Sequence, residues 1–266
     1  QGFPPALEDR ATLANWRTRP FNAWAFHHVR EIVPSAEIRN DPGNVRVLPQ
    51  GDTDLSAADL EQAVGGMAND ALVILHKGRV VHESYRNGMT RRDPHILMSV
   101  SKSVLGLVMG TLVDRGEVAV DDLLTRYLPE LSGTAYAGAT IRHALDMQVG
   151  LLFEEDYTAT SGVIVDYRKA ANWNPLAPGD AAGDLRSFQE RLTDSTGPHG
   201  ETFYYASPVT DMLAWLMERA TGIRFADLIS ERLLAPLGAE TPGYITVDRI
   251  GAARGAGGMC LTARDL

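Results

Sequence analysis

Cysteine is nearly absent from the sequence, which has only Cys260 among its 266 residues. A single thiol excludes an internal disulfide, and we expect Cys260 to be a small buried apolar residue. No uninterrupted apolar run approaches the roughly 18–20 residues that a transmembrane helix needs. The first residues, "QGFPPALEDR", contain neither the basic region nor the apolar region of a signal peptide. The sequence therefore predicts a cytoplasmic protein without a membrane-spanning segment.

Positive charge and metal-binding motifs are also scarce. Lys and Arg number 25 against 34 Asp and Glu, and the net charge of −9 argues against a nucleic-acid-binding surface. No H-E-x-x-H motif occurs, and His27 and His28 have no acidic or cysteine partner at the spacing of a metal site. The G-x-S-x-G motif of many Ser-His-Asp hydrolases is absent too. We predict no metal, no cofactor and no nucleic-acid partner.

The composition is typical of a globular protein, with 44% hydrophobic and 22% charged residues. The patterns along the chain predict three parts. Residues 1–98 form an N-terminal wrapping segment and the first part of an α/β domain, residues 99–240 form a helical region, and residues 241–266 return to the α/β domain. The predicted fold class is α+β: an antiparallel sheet flanked by helices, with an inserted helical region and with its last strands missing after Leu266.

Local patterns predict the main elements. The aromatic-rich N-terminal residues predict one short helix over 25–32. Two β-rich runs around Lys77 and Gly78 predict a hairpin, and the apolar run 72–75 is typical of a strand covered on both faces. The stretch "SVLGLVMGTLVDRG" predicts a helix that ends at Gly116.

Three serines surround one lysine at the start of that helix, in "SVSKS". Because positions three apart share a helix face, only Ser99 lies beside Lys102, whereas Ser101 and Ser103 point elsewhere. A serine hydroxyl becomes a strong nucleophile when a neighbouring base takes its proton. A lysine serves as that base near neutrality only if burial and the helix dipole lower its pKa by about three units from about 10.4. The alternative is a Ser cap with Lys102 extending to solvent.

A second candidate group is "YAS" at 205–207, directly ahead of a predicted helix that Ser207 caps and Gly222 ends. A phenol beside an ammonium can lose its proton and then act as an acid or a base. Tyr205 is therefore a candidate proton carrier for the serine. The alternative is an aromatic wedge in the core, with Ser207 only capping the helix.

The motifs "SVSK" and "YAS", about a hundred residues apart, resemble the first two motifs of the serine β-lactamase and penicillin-binding-protein superfamily. Longer blocks narrow the resemblance, namely "FNAWAFHHVREIVPS", "LMSVSKS", "LDMQVGL", "EEDY" and "YYASPVTDMLAW". These are similar to the 6-aminohexanoate-dimer hydrolases, the nylon-oligomer amidases, which are related to class C β-lactamase-like carboxylesterases. The likeness spans nearly the whole chain and implies the β-lactamase-like fold.

The resemblance also implies roles for individual residues. Ser99 would be the acylated nucleophile, Lys102 its general base, and Tyr205 the group that completes proton transfer to the leaving amine. Tyr157, in "EEDY", matches a tyrosine that those amidases place on a flexible loop over the substrate amide. Asp166 lies near the loop acid that would meet the ammonium of the substrate, and Ser207 would be a further substrate-binding residue.

Two departures from the family pattern bear on activity. Ser207 is the last residue of the tyrosine motif, where class C β-lactamases carry Asn, and this disfavours turnover of β-lactams. The family's third motif, on a later strand that supplies one N–H of the oxyanion hole, would lie beyond Leu266.

The resemblance implies a serine hydrolase that cleaves small linear amides or esters through an acyl-enzyme on Ser99. A β-lactamase, a D-alanyl peptidase or a carboxylesterase is an alternative, and so is a non-catalytic penicillin-binding-like sensor module. The implied partner is a small-molecule amide or ester, without a membrane partner, and we also expect a homodimer.

Overall fold

The structure is a computed structural model that describes residues 5–52, 55–65 and 67–266. Within these ranges, six strands pair into two antiparallel sheets. The strands are β1 (Ser35–Ile38), β2 (Ala71–His76), β3 (Arg79–Tyr85), β4 (His95–Ile96), β5 (Gly243–Thr246) and β6 (Met259–Leu261).

The same described residues form ten α-helices, and eight of them lie between β4 and β5. The helices are α1 (Asn22–Ala25), α2 (Ala57–Val64), α3 (Val100–Asp114), α4 (Leu124–Tyr127), α5 (Ile141–Leu145), α6 (Val163–Ala170), α7 (Leu185–Gln189), α8 (Ser207–Thr221), α9 (Phe225–Ile229) and α10 (Ala235–Leu237). Shorter 3-10 turns lie at Leu7–Asp9, Val29–Glu31, Pro42–Asn44 and Pro129–Gly133, and a π-helical turn lies at Ser230–Leu234. None of the helices described is both long and apolar enough to cross a bilayer.

The four-stranded sheet joins parts of the chain that are far apart in sequence. Its strand order is β1-β5-β6-β4, with Ala36 opposite Ile245 and Ile96 opposite Cys260. Because the strands on either side of the helical region pair with one another, that region is inserted into the sheet in sequence. The predicted antiparallel sheet with flanking helices and an inserted helical region is confirmed.

The predicted hairpin is present, but the prediction that its first strand is covered on both faces is wrong. Lys77 and Gly78 make the turn with φ values of +51° and +75°. In the part of the chain that the structure describes, β2 and β3 form a separate two-stranded sheet, and the further bridge to this hairpin, from Gln50 to Val80, is made to β3 and not to β2. The residues of the run 72–75 are accordingly only half-buried, and Leu75 is 50% exposed.

The predicted helix over 25–32 is also wrong. Helix α1 ends at Ala25, and a separate 3-10 turn covers Val29–Glu31. Between them, His28 has φ −130° and ψ 25°, which lies outside the helical region and interrupts any continuous helix. The segment instead packs against a buried aromatic residue: the Phe26 ring lies 6.2 Å edge-to-face from the Trp16 ring, which is fully buried.

Helices α3 and α8 lie in the centre of the core and bring the candidate site together. Helix α3 begins and ends close to its predicted bounds, and Gly116 follows it with φ +69°. On α8, every residue from 207 to 217 is buried. The side chains that α3 buries are Ser101, Val104, Leu105, Val108, Met109 and Leu112.

Candidate active site

The turn between β4 and α3 places Ser99 at the edge of the core. Leu97 N–H donates to the Met259 carbonyl of β6 at 2.8 Å, which ties the turn to the sheet. The next residue, Met98, has φ +46°, a left-handed conformation that a non-glycine residue adopts only at a cost. Ser99 follows as the N-cap residue of α3 and is exposed, so its hydroxyl is open to a ligand.

The polar ends of Ser99, Lys102 and Tyr205 lie within hydrogen-bonding distance of one another. Ser99 Oγ is 2.7 Å from Tyr205 Oη, and Lys102 Nζ donates to Ser99 Oγ at 3.1 Å. Lys102 Nζ also lies 5.0 Å from the centroid of the Tyr205 ring. One turn of α3 and the residues just before α8 therefore form a hydroxyl–ammonium–phenol cluster, although the serine and the tyrosine are 106 residues apart.

The neighbouring serines have other surroundings. Ser101 is fully buried, and its Oγ accepts the Met259 N–H at 3.3 Å, which ties α3 to β6. Ser103 is exposed on α3. Of the three serines in "SVSKS", Ser99 is therefore the one that meets both Lys102 and Tyr205.

A backbone carbonyl holds the other side of the lysine. Lys102 Nζ donates to Ala256 O at 2.6 Å, and Ala256 lies in the loop between β5 and β6. Asp211, on the second turn of α8, fixes this loop by accepting the Ala256 N–H at 2.8 Å. The ammonium is thus positioned from two directions, by the serine hydroxyl and by a carbonyl whose peptide is anchored to α8.

Asp211 is itself part of a buried charged network. Its carboxylate accepts hydrogen bonds from the Arg254 guanidinium and from the Tyr167 hydroxyl. The Arg254 guanidinium carbon lies 3.9 Å from the Tyr167 ring centroid and 4.9 Å from that of Trp173. Burial would lower the pKa of Arg254, but the charge of Asp211 outweighs it and raises that pKa. Arg254 therefore stays charged inside the core.

The surroundings of Tyr205 lower the pKa of its phenol. Burial alone would raise the pKa of Tyr205, but hydrogen bonds with Lys102 and Ser99 and the charge of Lys102 lower it overall. A phenolate held by an ammonium and within 2.7 Å of a serine hydroxyl is a suitable proton acceptor for that hydroxyl.

Tyr157 and Tyr205 line one cleft beside the cluster. The cleft has a volume of about 440 Å³ and is lined by residues 153–157 together with Tyr204 and Tyr205. Tyr157 is 66% exposed, and its hydroxyl donates to Glu155 Oε1 at 2.8 Å. Partial burial, the hydrogen bond to Glu155 and the charge of Glu155 raise the pKa of Tyr157 well above its usual value. The two tyrosines therefore have opposite tendencies, since Tyr157 keeps its proton and Tyr205 gives it up more easily.

The prediction that Ser207 caps α8 is wrong. Ser207 is the first residue of α8, and Ala206 occupies the N-cap position without a side-chain cap. Glu155, 52 residues away in sequence, caps the helix instead: it accepts the Ser207 N–H at 2.7 Å and the Ser207 hydroxyl at 2.6 Å. A carboxylate at this position also interacts favourably with the positive end of the helix dipole.

Asp166, the candidate partner for a substrate ammonium, lies apart from the residues that line this cleft. It is on α6, half-exposed, and Arg191 Nη2 lies 3.7 Å from its carboxylate. It lines a different surface depression together with Lys169, Asp180 and Asp184. Its role in binding substrate stays a prediction.

The described residues contain no group of three His, Cys, Asp or Glu side chains arranged to hold a metal ion. Cys260, fully buried in β6, is one of the apolar core residues, and burial raises the pKa of its thiol to about 12. Such a thiol stays protonated and is a poor nucleophile. The nucleophile that the geometry supports is therefore the Ser99 hydroxyl.

Three residues of the site were not among the sequence candidates. Ala256 contributes a carbonyl, for which a side chain gives no signal. Asp211 stands in an otherwise largely apolar stretch of α8, and this isolated charge was a usable signal. Glu155 precedes Tyr157 by two residues in "EEDY" and could have been singled out for its nearness to that tyrosine.

Comparisons with known proteins agree with this geometry. Residues 56–266 match the Beta-lactamase family. The 6-aminohexanoate-dimer hydrolase of Paenarthrobacter ureafaciens is 38% identical over 268 residues, which cover 99% of this chain and 67% of that protein. Esterase EstB of Burkholderia gladioli is 28% identical over 156 residues, covering 57% of this chain and 38% of that protein.

A solved structure from Bacillus anthracis, provisionally described as a 6-aminohexanoate-dimer hydrolase, superposes with a TM-score of 0.84 at 24% identity. It covers 98% of this chain, and this chain covers 70% of it. The chain thus spans about two thirds of the length of the relative from Paenarthrobacter ureafaciens and smaller parts of several others. The fold, the match over residues 56–266 and the 38% identity place the chain in the Beta-lactamase family of serine hydrolases, among relatives that include a 6-aminohexanoate-dimer hydrolase.

Proposed function

We propose that this chain is a serine hydrolase that cleaves small linear amides or esters through an acyl-enzyme on Ser99, as a 6-aminohexanoate-dimer hydrolase would. The observation that carries the proposal is the contact of the Ser99 hydroxyl with both the Tyr205 phenol, at 2.7 Å, and the Lys102 ammonium, at 3.1 Å. The name of the relative at 38% identity supports the substrate class.

In the first step, Ser99 Oγ attacks the carbonyl carbon of the substrate while its proton passes to the pair formed by Tyr205 and Lys102. The lowered pKa of Tyr205 suits this transfer, and the ammonium stabilises the phenolate. The backbone N–H of Ser99 supplies one donor to the developing oxyanion. The proton then passes to the leaving amine or alcohol as its bond to the carbonyl carbon breaks. Water hydrolyses the acyl-enzyme through the same groups.

A contact of Tyr157 with the scissile amide is part of the proposal, and the cleft that Tyr157 shares with Tyr205 supports it. The Tyr157 hydroxyl also interacts with that of Tyr205. A contact of Asp166 with a substrate ammonium stays a prediction. So do the homodimer and the cytoplasmic location, which light scattering on the purified protein and cell fractionation would measure.

The test replaces Ser99 with Ala and measures turnover of a nitrophenyl ester and of a linear ω-amino-acid dimer. We expect Ser99→Ala to lose both activities, because no other serine meets Lys102 and Tyr205 among the described residues. The matched control is Ser103→Ala, an exposed serine one turn along the same helix, which should keep both. Unchanged turnover of both substrates by Ser99→Ala would contradict the proposal.

The match to the Beta-lactamase family keeps β-lactam hydrolysis as a second candidate. Against it, the Ser207 hydroxyl donates to Glu155 and lies buried, so that hydrogen is not free for a β-lactam. Nitrocefin turnover would favour a β-lactamase, and transfer of a D-alanyl peptide would favour a D-alanyl peptidase. Stoichiometric labelling of Ser99 by a fluorophosphonate or a β-lactam, with no hydrolysis of any ester or amide, would favour a sensor module.

A further inference from the structure

We propose that Glu155 is a positioning residue that takes up the hydroxyl hydrogen of Tyr157, so that the phenol oxygen meets the substrate as a hydrogen-bond acceptor for the amide N–H. The inference rests on the function proposed above and adds a reason for a preference for amides over esters. It begins from the three hydrogen bonds that this one carboxylate accepts.

Glu155 connects two parts of the cleft. It binds Tyr157 on its own loop, and it binds Ser207 at the start of α8, just after Tyr205. Its Oε1 accepts the Tyr157 hydroxyl at 2.8 Å and the Ser207 hydroxyl at 2.6 Å, and its Oε2 accepts the Ser207 N–H at 2.7 Å. Since Ser207 stands two residues after Tyr205, the carboxylate fixes both phenols relative to the nucleophile.

The arrangement requires an acceptor with two oxygens. A carboxylate accepts on both, whereas the amide of Gln has one acceptor and one donor group. With Gln at position 155, the NH₂ group would face either the Ser207 N–H or the two hydroxyls. At least one of the hydrogen bonds at the carboxylate is then lost, and each charge-assisted bond that remains becomes weaker.

The direction of the Tyr157 bond decides what the substrate meets. A phenol has one hydrogen and two lone-pair positions, and here the hydrogen points at Glu155. The Tyr205 hydroxyl also interacts with the Tyr157 oxygen and can occupy one of the two lone-pair positions, which leaves the other for a donor in the cleft. A scissile amide carries an N–H in the place where an ester carries an oxygen without hydrogen. Tyr157 in this state can bind the amide N–H and has no equivalent bond to offer an ester.

The charges around the two phenols move their pKa values in opposite directions. Glu155 faces Tyr157 directly and disfavours its phenolate, and Lys102 faces Tyr205 from α3 and favours the phenolate there. Arg168, on α6, donates to the Tyr157 carbonyl at 3.0 Å and fixes the backbone of the loop. When two titratable groups in one cleft have pKa values shifted in opposite directions, one is suited to act as the acid and the other as the base.

The test compares two substrates with the same linear ω-amino acyl group, a nitroanilide with an N–H and a nitrophenyl ester without one. We expect Glu155→Gln to lower the anilide-to-ester ratio of kcat/KM about tenfold, the value of one hydrogen bond, because any change at Tyr205 affects both substrates alike. Tyr157→Phe should give the same selective loss, and because Tyr157 is mostly exposed this variant should fold normally. Glu190→Gln, which removes an exposed charge after α7, is the control and should leave both substrates unchanged.

The double variant decides whether Glu155 acts through Tyr157. If it does, adding Glu155→Gln to Tyr157→Phe should leave the anilide-to-ester ratio unchanged. A general structural effect of Glu155 would instead lower both rates equally in either background, and that result would overturn the inference. Loss of both activities in Ser99→Ala, with an unchanged ratio in Glu155→Gln, would overturn this inference alone and leave the proposed function in place.

Discussion

Asp211→Asn tests whether the buried network behind Lys102 stabilises the protein as its contacts indicate. The Asp211 side chain is 1% exposed and accepts hydrogen bonds from Arg254, Tyr167 and the Ala256 N–H. Asn has nearly the same shape but no charge, so the substitution leaves the Arg254 guanidinium, itself 7% exposed, inside the core without a counter-charge. The variant therefore removes a charge and almost no volume.

The expected cost follows from that unpaired guanidinium. Removing one partner of a buried ion pair lowers the free energy of unfolding by about 3–5 kcal/mol. The amide oxygen of Asn can still accept the Ala256 N–H, and the cation–π contacts of Arg254 with Tyr167 and Trp173 persist. We therefore expect the lower end of the range, about 3 kcal/mol, or about 6–12 °C in Tm for a chain of this size.

The assay is urea unfolding followed by tryptophan fluorescence, with Trp173 close to the perturbed site. The matched control is Glu130→Gln, which removes a carboxylate that pairs with Arg219 at 2.8 Å on the surface, and it should cost less than about 1 kcal/mol. Asp211→Asn should also lower ester turnover, because the hydrogen bond that anchors the Ala256 peptide is no longer charge-assisted and its carbonyl then holds Lys102 less firmly. A loss of stability no larger than that of the control would refute the reasoning.

Two further predictions concern the lysine and the loop next to it. Lys102→Met removes the ammonium that lowers the pKa of Tyr205, so the tyrosinate absorbance of Tyr205 should appear at higher pH. An unchanged midpoint of that titration would show that Lys102 does not lower the pKa of Tyr205. Gly258→Ala would place a Cβ 2.1 Å from Thr246 Oγ1 and should lower the free energy of unfolding by about 1–3 kcal/mol or more. The control is Gly106→Ala in α3, where the added Cβ has no atom within 4 Å, and this variant should stabilise the protein by about 0.5–1 kcal/mol. Similar thermal shifts for the two alanine variants would show that the close approach at Gly258 is not a constraint.

The contact between Ser99 and Lys102 was predictable because helix geometry is local. Any helix that begins near Ser99 places position 102 on the same face, and Gly116 gives a clear end. The sequence did not determine which residue would complete the cluster. Tyr205 became a candidate through its motif, and the 2.7 Å contact depends on how α3 and α8 pack in the core.

The wrong predictions share a physical cause, since each judged a residue by its neighbours in sequence. Ser207 has the composition of a cap, yet Glu155 from a distant loop supplies the carboxylate. The apolar run 72–75 resembles a central strand, yet among the strands described its strand pairs with β3 alone. Local propensity is a weak guide wherever tertiary contacts satisfy the same groups at lower free energy.

Two carboxylates that meet the first turns of α8 account for the geometry of the cluster. Glu155 binds the helix at Ser207, and Asp211, four residues later, binds the loop whose carbonyl holds Lys102. Tyr205 immediately precedes this same stretch of α8. Both partners of the Ser99 hydroxyl are therefore fixed by way of one helix that is buried from 207 to 217. For the function proposed above, this means that the cluster needs little reorganisation for proton transfer when a substrate binds.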